Sequence, residues 1–169
     1  DSVGGRRRST KCFQDRIKTF CSTTGRYHAV RSAGVNSTQM VRTAAVSAVM
    51  YGCEIFGLSD PSLHTTRAKI AAAAAPKVGE KNPDLTLLAL DGPAGTLDQA
   101  FEAHTSPIKH WALAWREEWF DLETMSMAFI AANLKAGSCK GSVWQAVNGH
   151  TGALLASLQR IEWSMPSSW

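Results

Sequence analysis

Ile108-Lys109-His110-Trp111-Ala112-Leu113-Ala114-Trp115-Arg116-Glu117-Glu118-Trp119-Phe120-Asp121-Leu122 sets the fold class of this chain. Ile108, Trp111, Trp115, Trp119 and Leu122 recur at steps of three and four, while Lys109, Arg116 and Glu117 fall on the other side. That spacing is the signature of an amphipathic α-helix and has no counterpart in a strand. It assigns the tryptophan stripe to the core face of a helix, because burial demands that recurrence. The alternative is an aromatic platform for unpaired bases.

Working outward, the same periodicity returns along the chain. From Lys11, the apolar residues Phe13, Ile17, Phe20 and Cys21 share a face, with Lys11, Asp15 and Lys18 opposite and an interruption expected at Gly25. Asn36-Ser37-Thr38 offers N-cap residues for a helix that is apolar on most sides from Val41 to Phe56, which places it centrally. Ser59 or Asp60 caps the next helix, with Pro61 in its first turn and the alanine block 71–75 permitting close helix approach. Pro83 opens a short helix through Leu90, and Leu97, Phe101 and His104 form another that should stop before Ser106-Pro107. Beyond the tryptophan stripe, Met125, Phe129 and Ala132 continue the pattern to Gly137, and Leu154, Leu158 and Ile161 mark a last helix before Pro166. No run alternates as a strand would. The expected fold is all-α, an irregular multi-helix bundle with a basic N-terminal helical arm. Its expected parts are residues 1–34 (basic lead and arm), 35–76 (buried helical hairpin), 77–82 (linker) and 83–169 (C-terminal helical subdomain).

Charge is unevenly spread. Residues 1–42 hold Arg6, Arg7, Arg8, Lys11, Arg16, Lys18, Arg26, Arg31 and Arg42 against Asp1 and Asp15, a balance of +7 in a chain whose net charge is +4. A basic segment on a near-neutral body points to an anionic partner met by these nine side chains, whether RNA, DNA, a hybrid or an acidic protein. The bland reading is a solvated helix face with a tail.

Several chemistries find no support. Cys12, Cys21, Cys53 and Cys139 make no C-x-x-C pair and no disulfide framework, which suits a reducing, intracellular setting, nuclear or cytoplasmic. His28, His64, His104, His110 and His150 lack ligand spacing for a metal. Gly137-Ser138-Cys139-Lys140-Gly141 imitates a nucleophile elbow but lacks the strand that such a turn requires. No aspartate cluster for two magnesium ions and no phosphate-binding glycine loop is present, so no catalysis or cofactor is expected of this chain alone. The weakly polar stretch Ala44 to Leu58 is too short to span a bilayer, and no membrane partner is expected. The abrupt basic beginning, without Met or an apolar leader, leads us to expect a piece of something longer.

From Arg8-Ser9-Thr10-Lys11 to Ala75 the chain resembles non-LTR retrotransposon reverse transcriptases of protists, dinoflagellates especially. In these a basic helix follows the catalytic palm, and a helix ending in Tyr-Gly-x-Glu comes next. Here that order reads Gln39-Met40-Val41-Arg42, then Val49-Met50-Tyr51-Gly52-Cys53-Glu54-Ile55-Phe56-Gly57-Leu58, then a helix with Leu63, Arg67 and Ala71. Ala89-Leu90-Asp91-Gly92-Pro93-Ala94-Gly95-Thr96-Leu97-Asp98 and Trp111 to Trp119 are similar to regions downstream. The resemblance implies a thumb and connector whose helices grip a template–primer duplex beside the palm of an RNA-directed DNA polymerase. That palm, with its aspartates, is missing here, and any ribonuclease H region with it. By the same resemblance Lys11, Arg16, Lys18 and Arg42 lie toward nucleic acid, while Tyr51 and Glu54 are expected in an inter-helix hydrogen bond. The competing expectation is a helical protein-interaction module with an acidic partner.

Overall fold

A computed structural model describes residues 10–75, 82–92 and 95–163. Arg6, Arg7 and Arg8 therefore lie outside the described residues, as do Trp169 and the linker positions 77–81. Among the described residues the chain is all-α, with no strand. The helices are α1 (Lys11–Ser32), α2 (Thr38–Met40), α3 (Ser47–Met50), α4 (Cys53–Phe56), α5 (Asp60–Ala74), α6 (Pro83–Asp91), α7 (Gln99–Arg116), α8 (Leu122–Ser138) and α9 (His150–Arg160). A π-helical stretch, Val41–Val46, joins α2 to α3, and a 3-10 turn, Val143–Gln145, precedes α9.

The chain divides into two compact units. The first comprises residues 10–51 and 60–102. Within it, Ile17 and Phe20 of α1 are buried, and α1 packs on α5 and α3. Val41, Ala45, Val46, Val49 and Met50 are buried along the segment from the π-helical stretch through α3, as its apolar composition demands. Ile70, Ala71, Ala73 and Ala74 of α5 are buried too, and α5 lies against α6 and the π-helical stretch. Small alanine side chains allow that approach.

The second unit comprises residues 52–59 and 103–169. Its core gathers Trp144, Val147, Ala153 and Ala156, with Val143 packed alongside. α9 packs on both α4 and α8. Gly57, at φ +61, has no room for a side chain, since a Cβ there would run into the Trp144 indole. Arg160 lies over the other aromatic surface available to it, 4.4 Å from the Trp144 ring, and donates to the Leu58 carbonyl.

Three expectations need correction. α1 runs unbroken through Gly25, because a glycine within a helix costs only ~1 kcal/mol and the Phe20–Tyr27 ring contact at 6.2 Å spans the weak point. Pro107 does not separate two helices but sits inside α7. Its ring is fully buried, which offsets the lost amide bond, and its carbonyl accepts from His150 Nε2 at 3.0 Å. The tryptophan stripe does not run along one helix, because α7 ends at Arg116. There the amide of Trp119 bonds back to Ala114 and that of Glu118 to Trp115, with Glu118 left-handed at φ 51. This is a Schellman closure, normally completed by glycine, and no glycine announces it in the sequence. As a result Trp119 is 50% exposed and Trp115 39%, so neither belongs to the core.

Candidate nucleic-acid interface

α1 carries most of the described cations proposed for binding, and its phase decides which of them face solvent. Successive residues turn by about 100°. Lys11, Lys18 and Arg26 consequently fall within about 80° of one another, roughly opposite Ile17 and Phe20, and all three are exposed. Gln14 and Ser22 lie on the same arc and are also exposed. They are polar groups able to reach phosphate oxygens, and helical phase was the signal that would have found them. Asp15 interrupts the arc and approaches Lys18 at 4.0 Å, an exposed contact that ties the lysine only weakly. The first turn of α1 contains no acidic residue, so the positive end of its dipole meets Lys11 rather than a carboxylate.

The other cations are engaged within the fold. Arg16 donates to the Tyr51 carbonyl and lies 5.2 Å from the Tyr51 ring centre. Arg31 donates to the hydroxyls of Ser37 at 3.1 Å and Thr38 at 3.2 Å, holding the turn that follows α1. Arg42 donates to the Asp91 carbonyl at 2.9 Å and lies 3.5 Å from its carboxylate. Asp91 is itself buried and accepts from the amides of Leu97 at 2.6 Å and Asp98 at 3.0 Å. A similar clamp holds Arg67 between Asp98, at 2.7 and 2.6 Å, and Asp84, at 2.6 Å. The Asp98 hydrogen bond is the chief reason that the Arg67 pKa is raised.

The Tyr-Gly-x-Glu segment behaves differently from expectation. Tyr51 is 72% exposed, its backbone carbonyl rather than its hydroxyl taking Arg16, and Gly52 is left-handed at φ 83. Glu54 is half-buried on α4, where its charge acts on His150.

Histidine and cysteine positions read as parts of the packing. His150 is pushed below its ordinary pKa, first by burial and also by His110, whose ring lies edge-on at 6.4 Å. His104 Nδ1 lies 3.3 Å from Arg160 Nη1, which fixes that nitrogen as the acceptor since guanidinium only donates. Among the described residues no group of three His, Cys, Asp or Glu is arranged to hold a metal ion. Cys139 follows α8 directly, where a nucleophile elbow would need a strand, and its thiol donates to the Ser142 carbonyl at 3.6 Å. No helix among the described residues is long and apolar enough to cross a membrane. No family model, curated protein or solved structure matches the chain.

Proposed function

We propose that the chain is a non-catalytic helical segment of a reverse-transcriptase-like protein, gripping a template–primer duplex by phosphate contact through α1. The observation that carries this reading is the exposed arc of Lys11, Lys18 and Arg26, anchored from behind by buried Ile17 and Phe20. By helix rise these cations stand roughly 10–12 Å apart, the scale of a duplex groove rather than of neighbouring phosphates on one strand. The contact is electrostatic and indifferent to sequence.

The test is binding of the full chain to an RNA–DNA primer–template duplex across a salt series, beside the triple variant Lys11→Ala, Lys18→Ala, Arg26→Ala. Each lost phosphate contact should reduce the log–log salt slope by about 0.9, so the variant's slope should fall by up to ~3. An unchanged slope would overturn the assignment of these residues.

A second reading, a protein-interaction module, draws support from apolar side chains left in solvent, among them Leu122, Met127, Ile130 and Leu134. Absence of duplex binding at low salt by the folded chain would favour it.

A further inference from the structure

α8 presents its apolar side chains in an unusual way. Over its 17 residues only Met125 is buried, while Leu122, Met127, Ile130 and Leu134 are between 53% and 71% exposed. Met127, Ile130 and Leu134 follow one another at steps of three and four, so they form a seam along one side of the helix. Ala128 and Ala131 are exposed beside them, and Thr124 lies one turn earlier. Such a seam of large residues with small neighbours is built for another helix to lie against it. Its charges are also ordered along the axis: Glu123 stands in the first turn and Lys135 in the last.

We infer that α8 pairs with α8 of a second copy of this chain, antiparallel, about a twofold axis near Phe129. In that register Glu123 of each copy comes level with Lys135 of the other, so both ends of the pair carry opposite charges. Met127 comes level with Ala131, and Leu134 with Thr124, so large side chains meet small ones at each level. The Ile130 side chains of the two copies lie within a turn of each other at the centre. Antiparallel alignment also sets each helix dipole against its opposite. A parallel pairing would put Glu123 beside Glu123 and Lys135 beside Lys135, which charge repulsion disfavours. A helix pair of roughly 25 Å with an apolar seam suits a modest association, with a dissociation constant of about 10 µM. The inference stands apart from duplex binding, which uses α1.

Sedimentation equilibrium of the full chain tests it, with circular dichroism to confirm that each variant keeps its helicity. The wild-type chain should be dimeric at about 100 µM, ten times the expected dissociation constant. Ile130→Glu, on an exposed position, should be monomeric with unchanged helicity. Glu123→Lys or Lys135→Glu alone should weaken dimerisation about tenfold, because each replaces two attractions with two repulsions. The double variant Glu123→Lys, Lys135→Glu should restore it. A monomeric wild-type chain, or a dimer indifferent to Ile130→Glu, overturns the pairing. A double variant as weak as the single ones overturns the antiparallel register.

Discussion

The backbone of Gly57 rests directly on the indole of Trp144, at a left-handed φ of +61 and with no space for a methyl group between them. Both the steric and the conformational demand single out glycine at this position. Gly57→Ala should therefore cost about 2–4 kcal/mol in urea unfolding followed by tryptophan fluorescence. A loss below about 0.5 kcal/mol, the range of ordinary surface changes, would mean that the indole moves aside freely.

Glu118 occupies the left-handed position of the α7 closure, where a side chain is strained and glycine is not. Glu118→Gly is expected to stabilise the chain by about 0.5–1 kcal/mol despite the added freedom of the unfolded state. Glu118→Val should do the reverse. Thermal unfolding of the two variants side by side decides it, and a glycine variant that melts earlier would contradict the closure.

Arg42 and Lys18 were equivalent as charges in the sequence but differ in the fold. Arg42 is tied to Asp91, whose carboxylate also holds the amides of Leu97 and Asp98. Arg42→Met should lower stability by about 1–3 kcal/mol and leave the salt slope of duplex binding unchanged. Lys18→Ala should change the slope and leave stability within about 0.5 kcal/mol. Exchange of these two phenotypes would show that the exposed arc has been misassigned.

His150 has its pKa lowered in the fold, principally by burial. As pH falls, the unfolded chain takes up a proton at this residue before the folded chain does. Its contribution to stability is therefore complete above pH 6.5, the ordinary value, and is lost as pH drops through the lower folded value. Urea midpoints between pH 7.5 and pH 5, a range set by ordinary histidine titration at about 6.5, should decline more steeply for wild type than for His150→Gln. Parallel curves would exclude His150 as the source.

Periodicity exposed the helical class and the buried face of α1, because Ile17 and Phe20 recur at steps that only a helix aligns. It did not show where helices stop. Gly25 and Pro107, the residues that usually punctuate helices, lie inside them, whereas Glu118 ends one through a closure that leaves no mark in composition. Extending the tryptophan stripe beyond Arg116 followed from that blind spot. The candidate interface was legible as charge but not as geometry. Arg16 and Arg42 find partners 35 and 49 residues away along the chain. No local pattern reveals such pairings, so local reading could not separate Lys11, Lys18 and Arg26 from them.

The π-helical stretch Val41–Val46 makes this part of the chain unusually sensitive to length. Wider hydrogen-bond spacing accommodates an additional residue without interrupting the helix, and it shifts the angular phase of everything after it. Deleting Ala44 would allow regular α-helical spacing throughout, which locally is the better-bonded state. It would also rotate the helix beyond the deletion by about 100° relative to the part before it. Val49 and Met50, now buried, would swing toward solvent, and exposed Ser47 and Ala48 would change their surroundings as well. The extra residue thus acts as a phase spacer between the anchor of Arg42 and the apolar contacts of α3, and a shorter, more regular helix could not serve both.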